Sequence, residues 1–467
     1  MDYCDFIKQK EHVSDNHGFN MIENNDMLFD FQNYLVEWAL LKGRGAIFAD
    51  CGMGKTPMQL LWAKNVAKYT NGRVLIITPL FVSAQTVEEG EKFGIEVNRV
   101  KDGNVKSNQK IVITNYEKLS KFDSNDFTGV VCDESSILKN FDGVYKSLIT
   151  KFLRKIKYRL LCTATASPND YTELGTSSEA LGYLGYVDML QKYFSSNENT
   201  FAQGGGNSRS SRFQKPLQDG KFRFKGHSSE FFWKWVCTWA RAIRKPSDFG
   251  FDDNNFILPK LTKNLYTVKN RNIKSGFLFE PANTSLREQH EERRRTLPER
   301  CEMAADIINK TVGHSIAWCN LNDESKIITK LIDDSVEITG SDSDDKKESA
   351  LMGFKRGEFK CLVTKSKIAG MGMNFQHCRH QTFFPSHSFE QFYQCVRRSW
   401  RFGQKKEVVI DLISSEGESQ ILANLNRKEK AASEMYDEII KLMSDNQINT
   451  DNIKNKPLSK VRTPKWI

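Results

Sequence analysis

The stretch AIFADCGMGKTPMQLLWAKNVAKY, residues 46–69, decides the fold. It begins with the apolar run AIFA, passes through a loop with two glycines, and continues into a helical pattern from Pro57. A strand, a glycine loop and a helix in this order direct backbone N–H groups and a helix N-terminus toward phosphate oxygens. We therefore expect a phosphate-binding loop at ADCGMGKT (49–56).

The loop carries side chains suited to a nucleoside triphosphate. Gly52 and Gly54 would let the backbone approach the phosphates, and Lys55 would reach the β and γ phosphates. The Thr56 hydroxyl would ligate Mg²⁺. The usual pattern begins with glycine, where this chain has Ala49. The strand-to-helix setting nevertheless predicts ATP and Mg²⁺ as cofactors.

An acidic pair lies about 75 residues further on, in VVCDESS (130–136). Asp133 and Glu134 end an apolar run, and ligands of open parallel sheets bind beyond the carboxyl ends of the strands. Asp133 could hold Mg²⁺ through water, while Glu134 orients or deprotonates the attacking water. An isolated Asp-Glu pair is more often a solvated turn, but its position after a strand and downstream of the glycine loop favours the catalytic interpretation.

Short apolar runs recur along the chain with helical patterns between them. In the first half they are AIFA (46–49), VLIIT (74–78), IVIT (111–114), VVC (130–132) and RLLCT (159–163). In the second half they are SIAWC (315–319), SVEI (335–338), CLVT (361–364), QTFF (381–384) and VVIDLI (408–413). This alternation predicts an α/β fold with two parallel sheets covered by helices.

A chain of 467 residues exceeds what one hydrophobic core normally serves, so we expect two lobes. A largely helical insertion would separate them. The predicted division is an N-terminal segment (1–24), lobe 1 (25–190), a basic and aromatic insertion with linker (191–284), lobe 2 (285–430), and a C-terminal helix with a polar tail (431–467).

The segment 201–246 concentrates positive charge and aromatic residues. It has ten Lys and Arg against two Asp and Glu, a local net charge of +8 in a chain of net charge +10. Such a segment suits a phosphate backbone or stacked bases, and Arg209 and Arg212 in its Gly/Ser-rich part are candidate DNA contacts. The alternative is a helical subdomain whose aromatic side chains form a core. A helix is predicted from Ser228 to about Ile243.

From the remaining composition we expect neither a membrane-spanning protein nor a secreted one. No apolar run approaches the roughly 20 residues that a membrane helix needs, and the N-terminus lacks a signal-peptide pattern. The ten cysteines are not arranged in CxxC pairs, so we expect thiols in a reducing cytoplasm rather than disulfides.

With these motifs in place, residues 29–428 resemble superfamily 2 helicases, and within them the Swi/Snf-type DNA translocases, including a subgroup from phages and bacteria. FDFQNYLVEWAL (29–40) is similar to the family's glutamine motif, which makes Gln32 the expected reader of adenine. ADCGMGKT resembles the family's phosphate loop. The chain has DESS where DEAH or DEGH is more usual, with Ser136 at a position that often links ATP state to DNA contacts.

The resemblance also implies nucleic-acid contacts. It rests on LIITPLFVSAQTVEE (75–89), IVITNYEKL (111–119), LLCTATASPND (160–170) and the segment 338–375. Gly370 and Gly372 would let the backbone of lobe 2 approach phosphate. The implied DNA contacts are Thr78, Pro79, Asn115, Thr163, Thr165, Asn169, Thr364, Ser366 and Asn374.

QCVRRSWRFGQ (394–404) resembles the family's Q-x-x-x-R-x-x-R-x-G-Q motif. Arg398 and Arg401, three residues apart, are expected to share one helix face. The resemblance implies that both project from lobe 2 onto the γ-phosphate held by lobe 1, where their charge stabilises the transition state. Gln394 would orient groups in the same cleft. Arg397 lies outside the pattern and is expected on the surface or against DNA, and Trp400 is expected to pack.

The resemblance implies an ATP-dependent motor, expected to be a monomer, that translocates on duplex or branched DNA, with single strands also possible. Fork remodelling or branch migration in a bacterial or phage-infected cytoplasm is a cellular use that fits. A strand-separating 3′–5′ helicase is one alternative. The alternative from another class is a nucleic-acid-binding scaffold of a defence or modification system that uses ATP as a conformational switch.

Overall fold

The computed structural model describes residues 16–80, 82–139, 143–196, 222–226, 228–269, 286–370 and 373–449. The chain divides into two compact units: unit 1 is Met1–Asp252 with Ala432–Ile467, and unit 2 is Asp253–Ala431. Among the described residues, no helix combines the length and apolarity needed to cross a membrane.

Unit 1 is built on a seven-stranded sheet. Its strands are β1 (Arg44–Ala49), β2 (Val74–Thr78), β3 (Asn98–Arg99), β4 (Ile111–Asn115), β5 (Gly129–Asp133), β6 (Tyr158–Thr163) and β9 (Ala240–Ile243). All pairs are parallel, in the order β3-β4-β2-β5-β6-β1-β9. Its helices are α1 (Asp30–Lys42), α2 (Lys55–Thr70), α3 (Val82–Lys92), α4 (Val144–Arg154), α5 (Leu174–Leu181), α6 (Tyr186–Tyr193) and α7 (Ser228–Trp239). A small antiparallel pair, β7 (Phe194–Ser196) and β8 (Phe222–Phe224), lies between α6 and α7.

Unit 2 is built on a six-stranded sheet. Its strands are β10 (Leu261–Val268), β11 (Ser315–Cys319), β12 (Ser335–Glu337), β13 (Cys361–Lys365), β14 (His380–Phe383) and β15 (Val408–Ser415). All pairs are parallel, in the order β10-β15-β14-β11-β13-β12. Its helices are α8 (Leu286–Arg295), α9 (Leu297–Lys310), α10 (Asn322–Leu331), α11 (Asp344–Arg356), α12 (Ser366–Ala369) and α13 (Phe389–Ser399). Helix α14 (Ser419–Asn449) begins in unit 2, and its residues from Ala432 belong to unit 1.

The α/β fold with two parallel sheets is confirmed, and each of the ten predicted runs overlaps a strand. Strands of a parallel sheet are covered on both faces, so they read as continuous apolar runs rather than as an alternation. VLIIT (74–78) is an example, since all five residues of β2 are buried. The same property made these strands recognisable in the sequence.

The prediction of one helix from Ser228 to Ile243 is wrong at its end. Helix α7 stops at Trp239, and residues 240–243 form β9, whose residue Ala240 lies opposite Ala46 of β1. An open edge of β1 offers backbone hydrogen bonds that outweigh the local helical preference. Strand β10 likewise pairs with β15 over eight residues. Residues between 191 and 284 therefore contribute an edge strand to each sheet.

Four of the five aromatic side chains of α7 form part of the core of unit 1, whereas the fifth, Phe231, is 51% exposed. Phe232, Trp233, Trp235 and Trp239 are all at most 5% exposed and pack with Tyr193. The expectation that these aromatics stack on bases is wrong, and the helical-core alternative is correct for them. Rings of this size bury more apolar surface than any other side chains, which favours a core position.

Candidate functional site

The glycine loop lies between β1 and α2, as predicted. Gly52 and Gly54 have φ of 95° and 79°, a region that side-chain-bearing residues rarely adopt. A Cβ at Gly54 would lie 2.1 Å from Nε2 of Gln32. That Nε2 donates to the Met53 carbonyl at 3.0 Å, and Gln32 Oε1 accepts from the Phe29 N–H at 3.0 Å. The structure thus brings Gln32 into direct contact with the loop.

Lys55 is the first residue of α2 and points back into the loop, where its Nζ donates to the Ala49 carbonyl at 3.0 Å. Burial opposes the charge of Lys55, but the electrostatic effects of Cys51 and of the carboxylates of Glu134, Asp133 and Asp50 raise its pKa overall. The lysine is therefore a cation held among acidic neighbours, at the N-terminus of a helix.

Asp133, the last residue of β5, lies in the same environment. Its Oδ1 accepts a hydrogen bond from Gln59 Nε2 at 2.6 Å, and its carbonyl accepts one from the Tyr116 hydroxyl at 2.5 Å. Burial and the charge of Glu134 raise the pKa of the Asp133 carboxyl to about 6, against the opposing effects of Gln59 and Lys55. Gln59 was not predicted, although its position four residues after Lys55 places both on one face of α2.

Glu134 has a φ of 50°, which is uncommon for a residue other than glycine. Its Oε2 accepts a hydrogen bond from the Thr163 hydroxyl at 3.2 Å, and that hydroxyl oxygen accepts one from the Thr165 N–H at 3.0 Å. Backbone conformations of this kind cluster at functional sites. The structure thus connects Glu134 to the segment after β6, as Asp133 is connected to α2.

The oxygen donors of this site fit Mg²⁺ rather than a transition metal. Thr56, half-buried in the first turn of α2, supplies a hydroxyl, and Asp133 supplies a carboxylate. Mg²⁺ keeps several waters and is bound through one or two carboxylates together with substrate phosphates. No group of three or more His, Cys, Asp or Glu that could hold a metal ion occurs in the described ranges. The residues therefore allow a Mg²⁺ site with few protein ligands, in which phosphate oxygens supply further ligands.

A tyrosine from α14 contacts the segment that holds Glu134. The Tyr436 hydroxyl donates to the Ala164 carbonyl at 2.9 Å, between Thr163 and Thr165. Burial raises the pKa of Tyr436 well above its usual value, and the nearby Asp50, Cys51 and Glu134 raise it further. Sequence reasoning missed this residue, because Tyr436 lies 272 residues from Ala164 and no local pattern joins them.

Tyr436 is therefore expected to act as a positioning residue. The change Tyr436→Phe removes one hydrogen bond to Ala164 and should lower kcat for ATP by about threefold to tenfold, with KM little changed. Tyr193→Phe, at a buried tyrosine of the aromatic core, is the matched control. Equal kcat in both variants, or an equal loss of thermal stability as the sole effect, would show that Tyr436 has a purely structural role.

The other predicted contacts of unit 1 follow the carboxyl ends of the strands. Thr78 lies opposite Asn115 in the β2–β4 pair, and Pro79 follows, half-buried. The buried Oδ1 of Asn115 has no hydrogen-bond partner in the described structure. Asn169 donates to Glu173 from its backbone N–H at 3.1 Å and from Nδ2 at 2.8 Å. Arg209, Arg212 and Gly372 lie outside the described residues, so their roles stay predictions.

In unit 2, the predicted positions lie at the end of β13, in the short helix α12 and just after it. The Thr364 hydroxyl donates to the Ile338 carbonyl at 3.2 Å, and the Ser366 hydroxyl donates to Gln391 Oε1 at 3.0 Å. A Cβ at Gly370 would lie 2.2 Å from the Ser366 carbonyl oxygen, so a larger residue does not fit without movement. Asn374 is half-buried, and its Oδ1 lacks a partner among the described residues.

The predicted helical face shared by Arg398 and Arg401 is wrong. Helix α13 ends at Ser399, and Arg401 follows the non-helical Trp400. The Arg398 carbonyl accepts the Phe375 N–H at 2.9 Å, and the Trp400 indole donates to the Pro259 carbonyl at 2.7 Å. The Phe375 N–H thus occupies a backbone carbonyl that a further turn of the helix would use.

The side chains of the arginine motif differ in environment. Arg398 is 4% exposed and donates to the Gln394 carbonyl at 3.0 Å and to the Met373 carbonyl at 3.1 Å. Gln394 is buried beside it. Arg397, expected on the surface, is instead 7% exposed and lies over the Trp400 ring at 4.3 Å, so Trp400 does pack. Aromatic stacking of the guanidinium explains its burial.

Comparisons with known proteins agree with this architecture. Residues 299–403 match the family "Helicase conserved C-terminal domain". Among curated proteins, no sequence matches this chain significantly. A solved structure of a Saccharomyces cerevisiae Dbp5 variant bound to RNA and ADP–beryllium fluoride is similar, with 11% identity, a TM-score of 0.55, and coverage of 88% of this chain and 94% of that chain. The Sulfolobus solfataricus SWI2/SNF2 ATPase core in complex with duplex DNA also matches, with 15% identity, a TM-score of 0.41, and coverage of 92% and 98%.

The family match places a helicase C-terminal domain in unit 2, and the similarity to Dbp5 concerns the fold of both units. Together with the motifs, they confirm the resemblance to superfamily 2 helicases. Assignment to the Swi/Snf-type subgroup stays a prediction.

Proposed function

We propose that this chain hydrolyses ATP with Mg²⁺ and uses the energy to move along nucleic acid, in particular along duplex or branched DNA. One observation supports this most: the described structure brings Lys55, Asp133 and Glu134 to one glycine loop, each held by a defined partner. A nucleotide-binding scaffold without turnover would need the loop and the lysine but not an acidic residue oriented by a threonine.

The residues of unit 1 divide the chemistry among them. The loop N–H groups and Lys55 bind the phosphates, and Gln32 contacts the adenine from its place beside the loop. Thr56 and Asp133 would hold Mg²⁺, whose positive charge would offset that of the phosphates. Glu134, oriented by Thr163, accepts the proton of the attacking water.

The residues of unit 2 complete the site in this proposal. Arg398 and Arg401 stabilise the charge that develops on the γ-phosphate, and Gln394 orients groups beside them. The segment that contains Thr364, Ser366 and Gly370 contacts nucleic acid and responds to the nucleotide. Because catalysis then needs both units, hydrolysis can be coupled to steps along the polymer.

The choice of duplex DNA depends on the form of the arginine motif, so it needs a direct test. Purified protein is given ATP and a triplex whose third strand is displaced by a motor moving on the duplex. A forked duplex and an RNA duplex of equal length are tested in parallel. Triplex displacement without fork unwinding supports the translocase. Fork unwinding points to the strand-separating alternative, and activity on RNA alone would contradict the DNA assignment.

A further inference from the structure

A cavity of about 410 Å³ opens at the amino ends of three adjacent strands of unit 2, β11, β14 and β15. This size is typical of a ligand pocket. None of the described residues that line it is acidic. Besides Gln404, the polar side chains that line it are those of His314, Gln376, His377, Arg379, Lys405 and Lys406.

One wall of the cavity is fixed by Gln404. Its Nε2 donates to the Gln376 carbonyl at 2.8 Å, and its Oε1 accepts the N–H groups of Lys405 and Lys406, each at 3.0 Å. Gln376 in turn donates to the Phe402 carbonyl. This contact requires glycine at 403, where φ is 88° and a Cβ would lie 2.7 Å from Gln376 Nε2. The backbone that carries the two lysines is therefore held in place before any ligand arrives.

The opposite wall is equally constrained. The Cys378 thiol contacts the His314 carbonyl at 3.3 Å, and the His314 and His377 rings pack edge to face with centroids 5.0 Å apart. The Arg379 carbonyl accepts the Val409 N–H at 2.9 Å, which joins the loop before β14 to β15. A preorganised framework of this kind lowers the entropic cost of binding.

The charge of the cavity is not compensated. Arg379, Lys405 and Lys406 are exposed, and among the ion pairs of the described ranges none involves any of them. Burial and the neighbouring His314 lower the pKa of His377, so the permanent charge comes from the three long side chains. Clustered like charges repel one another, and an anionic ligand would relieve that repulsion.

We propose that this cavity binds phosphate groups of a nucleic-acid strand. It is a second contact for the polymer, separate from the positions after β13 that the motifs assign. Arg379 supplies a fork that suits phosphate oxygens, and the two lysines supply mobile point charges. The inference rests on the proposed function for the choice of nucleic acid as the source of phosphate.

The test uses the full chain and the double variant Lys405→Gln, Lys406→Gln. The matched control is Lys326→Gln, Lys330→Gln, which removes two exposed lysines from α10. Binding of a labelled DNA duplex is measured by fluorescence anisotropy over a range of salt concentrations without nucleotide. Binding of inorganic tripolyphosphate is measured by calorimetry in the same buffer. Thermal melting establishes that both variants are folded.

The double variant Lys405→Gln, Lys406→Gln is expected to bind DNA more weakly than its control. Its slope of log K against log salt should be less steep by about 2. Tripolyphosphate affinity should fall as well. An unchanged slope with unchanged tripolyphosphate affinity would overturn the proposal. Loss of tripolyphosphate binding with an unchanged DNA slope would overturn the nucleic-acid assignment and leave a pocket for small polyphosphates. If the wild type binds no DNA at any salt concentration, the proposed function fails, and the tripolyphosphate arm still tests the pocket.

Discussion

Arg401→Ala is expected to reduce ATP turnover by about 10³-fold or more while leaving DNA affinity nearly unchanged. Arg401 follows the end of α13 and is only partly buried, whereas the neighbouring Arg398 is buried and donates to the carbonyls of Gln394 and Met373. In the proposed function Arg401 contributes its positive charge at the γ-phosphate together with Arg398. Removing its charge would then affect the transition state and not the binding of the polymer.

Single-turnover hydrolysis and DNA binding should be measured on the same preparation. Arg356→Ala is a suitable control, because Arg356 is an exposed arginine of unit 2 that pairs with Glu358. A collapse of DNA affinity with little change in the hydrolysis rate would show that the arginine motif is a binding patch.

Glu134→Gln is expected to reduce hydrolysis by about 10²- to 10⁴-fold while ATP binding persists. The amide keeps the size of the carboxylate and can still accept the Thr163 hydrogen bond, but it cannot take a proton from water. Because ATP would bind without being consumed, the variant should hold nucleic acid in the ATP-bound state. Equilibrium nucleotide binding measures whether ATP still binds, and a chase of bound ATP measures how fast it is hydrolysed.

Glu91→Gln, at an exposed position of α3, controls for the loss of one negative charge in unit 1. Hydrolysis by Glu134→Gln at the rate of this control would contradict the role given to Glu134. Loss of ATP binding would mean that the residue supports the loop instead.

The sequence predicts those parts of the site in which the order of strands, loops and helices along the chain determines where a side chain lies. Lys55 follows a strand and a glycine loop, and Asp133 ends a strand of the same parallel sheet, so both must lie at one sheet edge. Gln59 carries a weaker signal, its spacing from Lys55 along α2. Tyr436 carries none, because its contact with Ala164 depends on where a distant helix packs.

The wrong predictions, like the missed Tyr436, concern positions that depend on contacts with distant parts of the chain. Residues 240–243 read as the end of a helix, yet they pair with β1 nearly 200 residues away, and edge pairing depends on the partner rather than on local preference. Helix α13 ends early because the Phe375 N–H takes a carbonyl that the helix would have used. The aromatic residues of α7 could not be assigned to core or surface from composition, since both places favour large rings.

The most direct test of the central claim is steady-state ATP turnover by the full chain with Mg²⁺, measured without polymer and with saturating duplex DNA. The account predicts slow basal turnover that rises severalfold with DNA and is abolished in Arg401→Ala under both conditions. Turnover that is equal with and without nucleic acid, or absent throughout although ATP binds, would contradict a motor and favour an ATP-switched scaffold.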